Sequence, residues 1–377
     1  RIGAETRLNN AVRRYYGLEH SLILMYPYTD EEYYINWAYA KSYNQKIWNC
    51  PGNNNGSKWD KKLPLWEKAL KFENEHPELF EKSDLCTDIA ILFPRRSRLI
   101  YGGCSDEFVT DEYCGFCETF IDNNIMFDVI LEEELLNKLD NYKLAVLPNA
   151  ACLTDAEINA VYNFVNNGGR LIATDQTGEY DDNGKKRENG QLLNMLGINS
   201  SEKIAIAPCK KGKVCHINYR PGIRCCTPFY YLHPKSQDVI TYKDERDPEQ
   251  MRVILDCLRR LMPEGLRVEI DSEKEVTVAV FEYKNKRNVV HIVNRKGALL
   301  ENGAPLSRKF SENIHYPKLR KPVKIKTPYP PKSAYFYDPL MPDNCYAPEI
   351  TQQKDGFLVN IEPEKIKRHG ILELTLH

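Results

Sequence analysis

Pro148-Asn-Ala-Ala-Cys152-Leu-Thr154-Asp-Ala-Glu157-Ile-Asn-Ala-Val-Tyr-Asn-Phe-Val-Asn-Asn-Gly168-Gly169-Arg170-Leu-Ile-Ala-Thr174-Asp-Gln-Thr177-Gly178-Glu179-Tyr-Asp181-Asp-Asn-Gly184-Lys-Lys-Arg187 carries more of the fold than any other stretch of this chain. Thr154-Asp-Ala-Glu157 has the Thr-x-x-Glu spacing in which a hydroxyl and a carboxylate cap a helix start reciprocally, and the apolar spacing behind it predicts a helix to Asn166. Gly168-Gly169 ends that helix, because glycine enters the left-handed cap conformation without a Cβ clash. Arg170-Leu-Ile-Ala-Thr174 then reads as a buried strand. The charged run Thr177 to Arg187 follows the strand's carboxyl end.

The same alternation extends outward from this stretch. Asp88-Ile-Ala-Ile-Leu-Phe93, Phe127-Asp-Val-Ile130 and Lys143-Leu-Ala-Val-Leu147 read as strands, with helices predicted near 107–121, 132–139 and 248–261. Alternating strands and helices imply an α/β segment, roughly 85–265, with a parallel sheet covered on both faces. Ligands gather at the carboxyl ends of such strands, here Phe93-Pro94, Pro148-Asn149 and Thr174 to Arg187. Before it, residues 1–84 are aromatic and helical: a short apolar run from His20 to Tyr28 suits a strand, and Thr29-Asp-Glu-Glu32 opens a helix predicted to reach about Trp48. Pro51 to Ser57 reads as a loop and Leu63 to Glu75 as another helix. After it, residues 266–377 read as all-β, with strands at Val276–Phe281, Asn288–Val293 and Gly356–Ile361 and a Pro-rich connection at Pro328-Tyr-Pro-Pro331, the pattern of a small sandwich.

Composition bounds the partners. The 377 residues are 42% hydrophobic and 28% charged, the mix of a globular chain. With 52 basic against 53 acidic side chains, the net charge of −1 provides no field for a polyanion, so nucleic acid is not expected as a partner. The basic stretch Lys318 to Lys326 reads as a solvated strand edge. No run of about 18 apolar residues exists, so no membrane partner is expected. Arg1 opens in mid-pattern without a signal peptide, and the chain reads as part of a longer protein.

Twelve cysteines invite three readings. A disulfide scaffold is unnecessary in a chain long enough to bury its own core. A metal site needs clustered pairs, and Cys114-Gly-Phe-Cys117 lies inside a predicted helix without a second pair or a nearby histidine. Reduced, structural cysteines remain, which implies a cytoplasmic protein without metal or other cofactor.

The stretch from Pro148 to Arg187 resembles the trimerisation domain of family 42 β-galactosidases. The matching positions are Pro148-Asn149, the Thr154-Asp155 helix start, Gly168-Gly169, Thr177-Gly178, Asp181 or Asp182, Gly184 and Arg187. Val289-Val-His-Ile-Val-Asn294 resembles the strand opening the terminal β-domain of these enzymes. The resemblance implies a flavodoxin-like, class I glutamine amidotransferase-like sheet at 85–265. It further implies the tail of a (β/α)8 glycosidase barrel at 1–84 and a β-sandwich at 266–377. It implies hydrolysis of a glycosidic bond, β-galactoside or α-fucoside, by a longer homo-oligomeric protein whose catalytic residues mostly precede Arg1.

Five residues are candidates under that resemblance. Retaining glycosidases need two carboxyl groups about 5–5.5 Å apart at barrel strand ends. If His20 to Tyr28 is the last strand, Glu5 ends the one before it, the position of the nucleophile; Glu19 is the next candidate. The alternative for Glu5 is an exposed terminal residue. Glu179, Asp181 and Arg187 either lean over a neighbouring active site or form a solvated turn whose aspartates bond their own backbone. Trp37, Trp48 and Trp59 either line a sugar platform or belong to the core. Three rivals stay open: a purely structural oligomerisation module, a carbohydrate-binding module, and an active amidotransferase-like enzyme. The last needs an accessible, low-pKa Cys152 beside a histidine; Cys152 lacks the flanking glycines of a nucleophile elbow.

Overall fold

A computed structural model describes residues 2–25, 30–49, 63–81, 83–101, 109–188, 191–199, 201–226, 246–283, 286–296, 299–300, 314–315 and 318–376. In chain order the elements are α1 (Ile2–Tyr15), β1 (Leu22–Met25), α2 (Asp30–Ser42), β2 (Lys46–Asn49), α3 (Pro64–Glu75), β3 (Asp84–Leu85), β4 (Ile89–Leu92), α4 (Arg95–Ile100), α5 (Thr110–Asp122), β5 (Asp128–Ile130), β6 (Leu144–Leu147), α6 (Asp155–Asn166) and β7 (Arg170–Thr174). They continue with α7 (Gln191–Met195), β8 (Ile204–Cys209), β9 (Gly212–Ile217), α8 (Pro221–Cys225), α9 (Pro248–Leu261), β10 (Glu269–Asp271), β11 (Val276–Tyr283), β12 (Arg287–Asn294), β13 (Leu299–Leu300), β14 (Ile314–His315), β15 (Val323–Thr327), β16 (Pro331–Tyr337), β17 (Ile350–Gln353), β18 (Gly356–Ile361) and β19 (His369–Leu376). The protein is thus mixed α/β with several sheets. It divides into two compact units: Arg1–Leu18, Thr87–Phe229 and Asp244–Arg267 in one, Glu19–Cys86, Tyr230–Lys243 and Val268–His377 in the other.

The first unit is built on a six-stranded sheet of order β5-β4-β6-β7-β9-β8. All neighbours are parallel except the β8–β9 hairpin. Every residue of β4 and β6 is buried, as a sheet covered on both faces requires. One face packs Ile89, Ile91, Val146 and Ile172 against Phe116, Phe120, Ile254 and Leu258 of α5 and α9. The other packs Leu92, Leu147, Leu171 and Val214 against Ile158, Val161, Phe164 and Val165 of α6. The cap on α6 is as the sequence predicts: Glu157 N–H donates to Thr154 Oγ1 at 3.2 Å, and Thr154 N–H donates to Glu157 Oε2 at 2.8 Å. Gly168 leaves the helix at φ 115°.

Helix α1 belongs to this unit. Arg14 pairs with Asp128 at 2.7 Å and donates to the Val129 carbonyl, while Arg7 donates to Phe127 O at 3.0 Å. Glu5, expected at the end of a strand, is instead in the first turn of α1 and exposed. An acidic first turn and Arg13-Arg14 in the last turn complement the helix dipole, a local preference that outweighed the short Ile2-Gly-Ala run.

The second unit contains a parallel pair β1–β2, a five-stranded sheet β16-β19-β12-β11-β3, a four-stranded sheet β10-β15-β18-β17, and the short pair β13–β14. Tyr34 and Trp37 of α2 and Phe72 of α3 pack on Ala279, Phe281, Val289 and Val293. Trp37 is therefore core, its Nε1–H donating to Glu73 at 2.8 Å. The helix predicted to reach Trp48 stops at Ser42: Asn44 takes φ 54°, Gln45 N–H closes on Ala40 O at 2.8 Å, and Trp48 lies in β2. Trp59, Thr29 and the loop Pro51 to Ser57 lie outside the described residues. The basic stretch is not a sheet edge either. β15 is an inner strand between β10 and β18, its lysines paired outward as Lys324–Asp271 and Lys326–Asp355. Alternating basic residues there are the solvent face of an antiparallel strand.

Candidate functional site

The carboxyl ends of β6, β7 and β9 converge on one polar network in the first unit. After β6 and β7 the chain turns through left-handed backbone at Asn149 (φ 44°) and Asp175 (φ 46°), a conformation that asparagine and aspartate tolerate better than most side chains. Asn149 is fully buried. Its N–H donates to Thr174 Oγ1 at 2.9 Å, tying one strand end to the next, and its Oδ1 accepts from Gln176 N–H at 3.4 Å. Thr174 Oγ1 in turn donates to Glu112 Oε1 at 2.9 Å.

Glu112, in the first turn of α5, has no exposed surface, and its Oε2 accepts from Ile223 N–H at 3.0 Å. Burial pushes its carboxyl up to about 8, so the group is protonated at neutral pH despite hydrogen bonds that favour the anion. The arrangement demands glycine: a Cβ on Gly222 would sit 2.2 Å from Glu112 O, and one on Gly115 would sit 1.8 Å from Gly222 O.

At the rim, Asp175 pairs with Arg220 at 3.2 Å, and burial raises its carboxyl pKa. His216 Nε2 lies 2.9 Å from Asp175 O, and its Nδ1 is buried without a hydrogen-bond partner. Burial lowers this imidazole, which is neutral and fixed as an Nε2–H donor. Tyr101 donates to Gln176, and its ring centroid is 5.0 Å from that of Tyr180. Glu112, His216 and Arg220 carry no local signal in the sequence; sheet order and the packing of α5 and α8 bring them together.

The charged loop folds into a small hairpin. Thr177 Oγ1 lies 2.7 Å from Thr174 O, and Gly178 N–H donates to Ala150 O at 2.9 Å. Tyr180 bridges Cys152 on one side and Lys186 on the other. Asp181 Oδ1 accepts from the N–H groups of Asn183 and Lys185, both at 2.9 Å, which holds its carboxyl below the usual range. The Arg187 guanidinium reaches Asp155 at 2.5 Å, Leu153 O at 2.8 Å and Gln191 at 2.7 Å, while Glu179 pairs with Lys186 at 3.3 Å. Arg187 thus staples the loop to the start of α6, while Glu179 and Asp181 bond within the loop itself. Glu19 lies elsewhere, 88% exposed and 3.3 Å from His20.

Cys152 offers no nucleophile. It is fully buried, its N–H donates to Ser97 Oγ at 2.9 Å, and burial pushes the thiol up to about 11. The strained residue at the end of β6, where an elbow would present a nucleophile, is Asn149. Among the described residues no group of three or more His, Cys, Asp or Glu is placed to hold a metal ion. Nor is any described helix long and apolar enough to cross a membrane.

Residues 88–250 match the model of the β-galactosidase trimerisation domain. The match covers less than half of the chain. Against the curated proteins, the sequence finds no match. Among solved structures the whole fold is similar to α-L-fucosidase isoenzyme 2 from Paenibacillus thiaminolyticus, with TM-score 0.62, 11% identity and 100% of this chain covered. It is similar also to a β-galactosidase from Bacillus circulans sp. alkalophilus, with TM-score 0.62, 10% identity and 99% covered. The chain spans 62% and 58% of the length of those two proteins. At such identities the likeness is one of fold. The polar network sits at the carboxyl edge of the sheet within the matched residues, and Arg187 ties the loop to the start of α6.

Proposed function

We propose that this chain is the carboxy-terminal portion of a glycoside hydrolase, acting on a β-galactoside or an α-fucoside, and that it supplies subunit contacts and active-site walls rather than the reacting groups. The observation that carries the reading is the trimerisation-domain match over residues 88–250. Arg187, bound to Asp155, Leu153 O and Gln191, ties the loop to the start of α6, which supports a role as a wall.

The finer fold reading belongs with it. A parallel sheet with helices on both faces supports the flavodoxin-like assignment for 85–265. Strands β11 and β12 are buried on both faces, which supports a sandwich for 266–377. In β1–β2, Leu22, Leu24 and Trp48 are 52%, 49% and 63% exposed. Parallel strands need both faces covered, and two alone are too few, which supports the barrel-tail reading of 1–84 for the part that holds β1 and β2; α1, which packs in the first unit, does not share in it. The complete protein is then a cytoplasmic homo-oligomer with a carbohydrate substrate.

The test compares the 377-residue chain with the same chain joined to its upstream sequence. Analytical ultracentrifugation should show assembled species for the chain alone. It should not cleave p-nitrophenyl β-D-galactoside or α-L-fucoside, and the longer protein should cleave one of them. Turnover by the chain alone would place the catalytic pair here and overturn the reading; a monomer in both forms would remove the assembly role.

A further inference from the structure

Val289 and Val293 of β12 pack against Tyr34 and Trp37 of α2, and the alternation of a strand puts His291 on the same face. His369 of β19 shares that face, since it stands opposite Val293 in the ladder. Both imidazoles are only 2% exposed. They stack, with ring centroids 5.4 Å apart and planes 12° apart, and His291 Nδ1 lies 3.2 Å from His369 Nε2. Trp37 meets His369 edge-on at 5.4 Å, while Phe80 and Phe281 each approach His291 at 5.8 Å.

The positions of the protons follow from the hydrogen bonds. A contact between two ring nitrogens needs one N–H and one lone pair. His291 also bonds the backbone of Leu79, and His369 Nδ1 is buried without a hydrogen-bond partner. The assignment that satisfies all three has His291 donating to the Leu79 carbonyl and His369 Nε2–H donating to His291 Nδ1. The His369 Nδ1 lone pair then faces no donor, and a proton placed there would find no acceptor. The charge turned toward the pair is Lys41 of α2, which opposes a second cation. Lys41 pairs with Glu73 of α3 at 2.5 Å, and Glu73 also accepts from Trp37 Nε1 at 2.8 Å. From the sheet, the same core holds Tyr283 of β11 and Tyr337 of β16, phenols whose pKa burial raises further. Arg368, next to His369, is engaged with Glu31 and with the carbonyls of Asn294 and Lys296.

We infer that this stacked pair is an acid-sensitive latch: α2 stays on the five-stranded sheet while both rings are neutral, and acid opens the second unit with uptake of one proton by each ring. Burial drives His291 down to about 3 and holds His369 well below the ordinary imidazole value. In an opened chain both return to about 6.5. The opened state therefore holds more protons, so the stabilisation is complete above about pH 6.5 and is lost as pH falls from there toward 3. Each ring favours opening by a factor approaching about tenfold per pH unit below its unfolded value. Glu112 in the first unit works in the opposite sense.

All four tryptophans, Trp37, Trp48, Trp59 and Trp66, belong to the second unit, so their fluorescence reads its unfolding. Urea unfolding of the 377-residue chain followed in this way tests the latch. Between pH 6 and pH 5 the opening constant of the parent should rise about sixtyfold more than that of His291→Gln/His369→Gln, and about eightfold more than that of either single variant. An equal pH dependence in parent and double variant would overturn the inference. The folded parent decides even where a variant does not fold: long-range 1H–15N NMR of histidine-labelled protein should show both rings neutral from pH 7 to pH 5. Either ring titrating above pH 5 in the folded protein would overturn the latch, because the difference between folded and opened states that drives it would be absent.

Discussion

Glu112 shows how a single buried carboxyl can serve structure at a cost that depends on pH. Its folded pKa is raised from 4.5 to about 8 by burial, so the folded state holds a proton that the unfolded chain releases. Its contribution is therefore fully present below about pH 4.5 and is lost as pH rises toward 8, at up to about 1.4 kcal/mol per pH unit. Glu112→Gln keeps an oxygen to accept from Ile223 N–H and has no charge to bury, while its amide nitrogen replaces the oxygen that accepts from Thr174 Oγ1. Urea denaturation between pH 5 and 9 should find the variant increasingly more stable than the parent as pH rises. A stability difference flat across that range would mean that Glu112 is not the titrating group. Nothing in Thr110-Asp-Glu-Tyr-Cys-Gly marks this glutamate in the sequence, since an acidic first turn is ordinary in a helix.

At the scale of elements, the contact of α5 with α8 is set by two glycines. Gly115→Ala would push a methyl to 1.8 Å from Gly222 O, a backbone atom that cannot rotate away. Overpacking of this kind costs about 1–3 kcal/mol, and the strand-end network tied through Glu112 and Thr174 should loosen with it. Calorimetry should show a lowered Tm and hydrogen exchange a loss of protection at Ile223. A Tm within about a degree of the parent would show that the helices separate freely. By contrast, the Thr154–Glu157 cap and the Gly168 exit were legible in the sequence, because each depends on residues within four positions of one another. The end of α2 was not: Asn44 supplies the left-handed stop, but asparagine carries a weaker signal than glycine, and the apolar run through Trp48 extends the helical pattern past it.

For the whole molecule, the lone parallel pair β1–β2 is the feature least at ease by itself. Among the described residues this pair has no further strand beside it, and Leu22, Leu24 and Trp48 expose apolar surface. Leu22→Lys with Leu24→Lys should raise the soluble yield of the 377-residue chain and lower its binding of a hydrophobic dye. The same substitutions in the longer protein should reduce folding, because there the face would be buried. An unchanged yield and dye signal for the chain alone would show that the pair does not govern its solubility.

Taken alone, the sequence determined the alternating α/β order, the cap and exit of α6, the strand ends at Pro148-Asn149 and Thr174, and the similarity of residues 88–250 to the trimerisation domain. These are periodic or short-range patterns, written in residues that are neighbours along the chain. The tertiary structure decided what those strand ends meet: Glu112, His216 and Arg220 come from elements tens of residues apart and converge through the side-by-side order of β6, β7 and β9 and the packing of α5 and α8. It also placed Glu5 on a helix and Trp37 in the core, and made Arg187 a staple between its loop and the start of α6. Long-range hydrogen bonding and burial set those roles, and neither leaves a periodic trace in the sequence.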